Sequence, residues 1–189
     1  MKEPDILLEE INQDIKRTLS EKRYIHSLGV MNKAEELAKQ YHINVDKAKI
    51  VGLAHDIAKE MPKEEKIAYV KNHNIEIDEI EKINIELLHA KIGADICKNK
   101  YQFSQDMQDA IRYHTTGSPE MDDLAKIILI ADKTEAGRKN INQEEIKELE
   151  QKGLEQEVVA LLDRSIIYTI KKGGLIHPDS VYTRNRFFM

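Results

Sequence analysis

The sequence predicts an all-α protein, a single-domain helical bundle of about nine helices. Two observations carry this. Gly and Pro number 8 and 4, where average usage gives about 22 together in a chain this long. Apolar residues recur at helical spacing along the chain up to about residue 172. A chain this poor in turn-formers and rich in Lys, Glu, Ile, Leu and Ala makes a poor many-stranded β protein. The length suffices for one domain with a real core. No linker, low-complexity stretch or internal repeat divides it. One domain is therefore expected over 1–189, with a core over about 20–172 and a tail over 173–189.

Each element follows from local signals. Leu7, Ile11, Ile15 and Leu19 repeat at i, i+4 and predict a first helix over about 5–19. Ser20 is the expected N-cap of a second, about 21–41, with Ile25, Leu28, Val30, Ala34, Leu37, Ala38 and Tyr41 facing inward. Asp46 caps a third over about 47–59. Its segment AKIVGLAHDIA is apolar on more than one face and predicts a buried central helix. Pro62 suits the first turn of a fourth, about 62–72. A short helix near 78–84 precedes one over about 86–100. Ser104 caps about 105–114, and Thr115 to Pro119 break the chain. Pro119 then opens a helix to about 136 that carries KIILIAD. Two more cover about 143–151 and 154–172, stopped by Gly173-Gly174. The remainder, LIHPDSVYTRNRFFM, shows apolar residues without a period. It reads as a tail packed on the body with its last residues frayed.

Charge and cysteine usage exclude several classes. Lys+Arg is 29 and Asp+Glu is 34, a net charge of −5. There is no broad basic surface for long nucleic acid or an anionic membrane. No apolar run is long enough to cross a bilayer. The N-terminal stretch carries acids where a signal peptide carries bases. One Cys leaves neither a disulfide framework nor a Cys-based zinc site. A cytoplasmic location is the resulting expectation. Cys97 reads as core, and His42 and His73 as surface.

Three positions break the apolar pattern. His55-Asp56 lies among Leu53, Ala54, Ile57 and Ala58. Asp132 ends the run IILIA, and His26 shares a helical face with Arg23 and Val30. An ionised carboxylate in such surroundings costs several kcal/mol unless paired or bound to a metal. Acids and histidines brought together from separate helices are what a divalent-metal site in a helical bundle needs. Imidazole and carboxylate donors suit iron, zinc or manganese. Zinc is the weaker choice, because neither a Cys set nor HExxH is present.

His26, His55-Asp56 and Asp132 resemble the H…HD…D signature of the HD-domain metal-dependent phosphohydrolases. RYIHSLGV, LAHDIAKE, LLHAKIGA, AIRYHTTG, IADKTEAGR and the ending GGLIHPDSVYTRN look like successive blocks of its YqeK-type branch, the symmetrical bis(5′-nucleosyl)-tetraphosphatases. The blocks run from about residue 20 to 186. One departure is visible. Lys133-Thr134-Glu135-Ala136-Gly137-Arg138 lacks the proline the family tends to carry there, although Glu135 and Arg138 stay in place.

The resemblance implies hydrolysis of diadenosine tetraphosphate to two ADP by a helical domain holding one or two divalent ions. Iron is the first choice, with manganese or cobalt as alternatives. His26, His55, Asp56 and Asp132 fall on the family's metal positions. His89 and His114 fall on two further histidines, which either hold a second metal with Asp56 bridging or meet the phosphate. Asp56, Lys59, His89 and His114 are the expected catalytic residues. Lys59 follows His55 by one helical turn, and Arg138 suits a bidentate phosphate clamp. Arg23 stands one turn before His26, and Thr115, Thr116 and Gly117 end a helix where phosphate or ribose could meet them. Ile176 and His177 either anchor the tail or wall the base pocket. A small-molecule dinucleotide and ADP are the expected ligands, and a homodimer is left open. The same site could serve another nucleotide, as a 5′-monophosphatase or phosphodiesterase, or bind one without cleaving it. The net charge of −5 does not forbid a polyanion, because a bound dication and nearby bases set the charge at the site.

Overall fold

The computed structural model describes residues 3–138 and 141–188. Among the described residues it contains eleven α-helices, one 3-10 turn and no strand. The helices are α1 Pro4–Thr18, α2 Glu21–Gln40, α3 Val45–Ala54, α4 Lys63–Asn72, α5 Glu79–Ile83, α6 Leu88–Tyr101, α7 Gln105–Tyr113, α8 Asp123–Thr134, α9 Gln143–Glu150, α10 Leu154–Lys171 and α11 Pro178–Phe188. The 3-10 turn Ile85–Leu87 leads into α6.

α3 is the centre. It packs on α1, α2, α7 and α8, and Ile50, Val51, Gly52, Leu53 and Ala54 are all buried. Gly52 permits its closest approach to α2, because a Cβ there would lie 3.0 Å from Met31 Cα and 3.1 Å from the Val30 carbonyl. That approach brings the end of α3 beside His26 of α2. α8 closes the other side, its run from Leu124 to Ala131 wholly buried. The apolar stripe Leu7, Ile11 and Ile15 of α1 covers α3 from outside.

Four local expectations are corrected. α3 ends at Ala54 and is capped at its start by Asn44, which accepts from Lys47 N; Asp46 lies in the first turn. Residues 55–60 continue as tighter turns, with Ile57 N on Ala54 O and Lys59 N on Asp56 O at 3.0 and 2.9 Å, the bonding common where helices end. Pro119 does not open α8. It sits second in a turn closed by Met121 N on Ser118 O, a position its fixed φ favours. Asp122 caps α8 by accepting from Ala125 N at 2.8 Å. Ile25 faces outward at 59% exposure, while Ser27 takes the inward place. The C-terminal stretch is a helix, α11, with Pro178 in its first turn. Its inner face is only Thr183 and Phe187, one turn apart, too few to register as a period.

α11 lies on α10 and on the 115–117 turn. Ser180 Oγ donates to the Thr116 carbonyl at 2.9 Å. Gly117 has φ of 76°, and a Cβ there would come within 2.9 Å of Thr183 Oγ1, so glycine is required twice over.

One core residue stands apart from the site. Glu157 of α10 is fully buried, and neither carboxylate oxygen has a hydrogen-bond partner among the described residues. Burial first, then the Glu150 charge, pushes its carboxyl up to about 7. The folded state therefore holds a proton that the unfolded chain releases near 4.5. Stability should fall as pH rises from about 4.5 to about 7, by on the order of 2 kcal/mol from this group. Glu157→Gln should raise Tm at pH 8, change it little at pH 5, and flatten that part of the pH profile.

Candidate metal centre and groove

Four histidines and two aspartates meet where α2, α3, α6, α7 and α8 converge. His55 ends α3, His114 ends α7, and His89 lies in the first turn of α6. Each donates its Nδ1–H to a carbonyl three residues earlier. His55 reaches Gly52 O at 2.8 Å and His114 reaches Ile111 O at 2.7 Å, while His89 takes Glu86 O. The last carbonyls of a helix lack ladder partners and are free to accept. These bonds engage Nδ1 and turn every Nε2 toward the site. His26 Nδ1 instead meets Glu135 Oε1 at 3.1 Å.

The Nε2 atoms point at carboxylate oxygens. Asp56 Oδ1 lies 3.2 Å from His89 Nε2 and 3.6 Å from His114 Nε2. Its Oδ2 lies 3.5 Å from His55 Nε2 and 3.8 Å from His26 Nε2. Asp132 Oδ1 lies 3.1 Å from His26 Nε2 and 3.7 Å from His55 Nε2. His89 and His114 face each other Nε2 to Nε2 at 3.2 Å. His55 Nε2 and Asp56 Oδ1 are buried without a hydrogen-bond partner among the described residues. Lone pairs converging on oxygens in a dry site are stable only around positive charge. His26, His55 and Asp132 form one set that could hold an ion, and His55, Asp56 and His114 another. The donors fit a divalent metal.

The electrostatics say the same. Burial opposes ionisation of Asp56 and Asp132, but the neighbouring imidazoles outweigh it and hold both well below the usual carboxylate range. Burial likewise resists charging His55, yet the Asp56 and Asp132 carboxylates outweigh it and raise the imidazole to about 9. His114 is driven by burial down to about 4, and His89 is lowered for the same reason.

The expected substrate residues divide. Lys59 Nζ reaches 3.3 Å from His89 Nε2, although the chain there is turn rather than helix. Thr115 Oγ1 lies 3.1 Å from His114 Nε2 and 3.4 Å from His89 Nε2. Arg23 is committed to Asp56 Oδ2 at 2.7 Å. Arg138 bonds the Asp132 carboxylate, and its Nε donates to the Asp132 carbonyl at 2.6 Å. Thr115, Thr116, Asp132, Arg138, Ile176 and His177 line one groove of about 900 Å³. It runs from the metal centre along the C-terminal half of α10 and under the segment 174–177. His177 has two contacts here. It walls the groove and ties the segment down, Nε2 donating to Asp78 Oδ2 at 2.7 Å.

Two residues had no assigned role in the sequence reading. Glu135, one turn after Asp132, holds His26. Lys133 lines the groove beside Asp132. Burial lowers its ammonium, and it has no hydrogen bond or ion pair among the described residues. A buried acid followed by a lysine inside an apolar helix was its only sequence signal.

Comparison with known proteins agrees with this geometry. The HD domain family model matches residues 23–137. The symmetrical bis(5′-nucleosyl)-tetraphosphatase of Bacillus subtilis is 36% identical over 90% of this chain and 92% of its own. That of Halalkalibacterium halodurans is 34% identical over 94% of this chain and 95% of its own. A crystal structure from Clostridium acetobutylicum, described as a predicted HD superfamily hydrolase involved in NAD metabolism, superposes with a TM-score of 0.90 at 36% identity. It covers 95% of this chain and 96% of that one.

Asp56→Asn should weaken divalent-metal binding by about 100-fold or more, since it removes a charged donor rather than a supporting contact. Equilibrium dialysis against Mn²⁺ with elemental analysis measures this. Metal-free wild type should also melt below the loaded protein, because an ion bound only by the folded state stabilises it. With donors from five helices and a match over nearly its whole length, the chain belongs to the HD-domain family, in the branch of the symmetrical bis(5′-nucleosyl)-tetraphosphatases.

Proposed function

We propose that this protein hydrolyses diadenosine tetraphosphate and related dinucleoside polyphosphates to two nucleoside diphosphates. The observation that carries the reading is the buried set of inward-facing Nε2 atoms around Asp56, opening onto a groove large enough for a nucleotide. The near full-length relatives supply the substrate class.

His26, His55, Asp56 and Asp132 would hold a divalent ion, with iron as the first candidate for an N,O donor set lacking Cys. Asp56 turns one oxygen to His26 and His55 and the other to His89 and His114. His89 and His114, on the other oxygen of Asp56, would be the donors available to a second ion. The bound ions supply the charge that makes water nucleophilic at neutral pH. The chain's own groups do the rest. The Lys59 ammonium and Thr115 hydroxyl stand at the His89–His114 edge, placed to neutralise phosphoryl oxygens. Lys133 and Arg138 flank the mouth of the centre and meet the remaining phosphates. Water adds to an inner phosphorus, the bridging oxygen leaves with one ADP, and the attacked phosphorus stays on the other. The segment 174–177 and the exposed Tyr168 of α10 bound the groove where a nucleoside extends. Cys97, buried and unpaired, suits the reducing cytoplasm. Among the described residues no helix is long and apolar enough to cross a membrane.

Metal-loaded protein given diadenosine tetraphosphate should release ADP alone. ATP with AMP, or no turnover with iron, manganese or cobalt, overturns the reading. Lys133→Ala should raise KM about tenfold or more, the weight of one charge-assisted contact, while metal content stays at the wild-type level.

A further inference from the structure

We propose that Glu135, seated in a slot between Gly29 and Gly137, is a positioning residue that fixes the ring orientation and tautomer of His26. The inference rests on the metal reading above and extends it to a residue outside the ligand set.

The reasoning begins with a difference among the histidines. His55 and His114 stand at helix ends, and His89 follows a 3-10 turn, so each finds a free carbonyl three residues back. His26 is inside α2, where the carbonyls are engaged by the helix itself. Its Nδ1 must find an acceptor elsewhere. Glu135 provides it, with Oε1 at 3.1 Å. The carboxylate is 6% exposed and is held in turn, since its Oε2 accepts from Gly137 N at 2.6 Å. It directly follows α8 as the C-cap, three residues after Asp132. One short segment thus supplies a ligand and the group that orients another ligand.

The slot is cut to the carboxylate. A Cβ at Gly29 would lie 2.5 Å from Glu135 Oε2, and one at Gly137 would lie 3.0 Å from both oxygens. Gly29 is one turn after His26 on α2, in a helix interior where glycine costs roughly 1 kcal/mol relative to alanine. The close contact with Glu135 accounts for a glycine there. A carboxylate on the outer nitrogen of a metal-binding imidazole keeps the inner nitrogen unprotonated and aimed, and loss of such a group typically weakens metal binding 10- to 100-fold.

The test is a Co²⁺ titration of the metal-free protein followed by visible absorption, with the His26 tautomer read by ¹⁵N NMR before metal is added. Glu135→Ala should bind Co²⁺ about 10- to 100-fold more weakly and release His26 from the Nδ1–H form. Glu135→Gln keeps an acceptor oxygen and should recover most of the affinity and the tautomer. Gly29→Ala leaves Glu135 chemically intact, favours the helix, and should still reproduce the Glu135→Ala loss by displacing the carboxylate. If Glu135→Ala is misfolded by its melting curve, the Gln and Gly29 variants decide. Affinities within twofold of wild type, with the His26 tautomer unchanged, overturn the proposal while leaving the metal reading intact. A wild-type chain that takes up no Co²⁺ overturns both.

Discussion

Asp56 is 2% exposed, ionised, and ringed by imidazoles whose proton-bearing nitrogens are turned away from it. A carboxylate in that position is tolerable only with positive charge beside it. The chain itself meets the demand in part, with Arg23 on Oδ2 and a raised His55. The rest of the architecture answers to the same demand. Gly52 lets α3 close on α2, so that His26 reaches the end of α3. The wholly apolar run of α8 seats Asp132 against the same imidazoles.

The helix ends make this possible. A histidine at a helix terminus finds an orphan carbonyl for Nδ1 and so arrives with Nε2 ready for a cation. Ending α3 at Ala54 and α7 at Tyr113 is therefore functional as well as topological. The helix breaks place the donors, and the buried helices hold the breaks in register. Selectivity is built elsewhere. The family model ends at residue 137, whereas much of the groove wall comes from the C-terminal half of α10 and the segment before α11. The donor cluster and much of the groove wall are thus separate stretches of sequence, an arrangement in which the wall can vary while the centre stays.

The helical periods of α1, α2, α6, α7 and α10 were legible because burying one face demands them. Asp56 and Asp132 were legible for the opposite reason, as charges where burial forbids charge. Other features left no such trace. α11 buries only Thr183 and Phe187, so its helix is imposed by contact with α10 rather than by pattern. Ile25 follows the composition of an inward stripe but falls on the wrong side of the helix. The end of α3 depends on a switch of hydrogen bonding by one residue, which no side chain announces. Glu135 and Lys133 were given no role, because what brings them to the site is the packing of α2 on α8, which leaves little local signal.

That packing also resolves how a chain of net charge −5 receives a polyphosphate. With so few glycines, it offers no glycine-rich loop to cradle phosphate on backbone amides. The groove carries Lys133, Arg138, Arg164 and Lys171, and Asp132 is the sole acid among its described lining residues. Arg138 already spans the Asp132 carboxylate, and Arg164 pairs with Glu145 at 3.0 Å. Lys133 has no such commitment, and its part-buried place lowers its ammonium and leaves less water to compete for it. A phosphate entering beside Asp132 gains most from the cation that gives up least to meet it. The field that matters is therefore made by a few part-buried groups at one end of the groove rather than by the net charge of the whole chain.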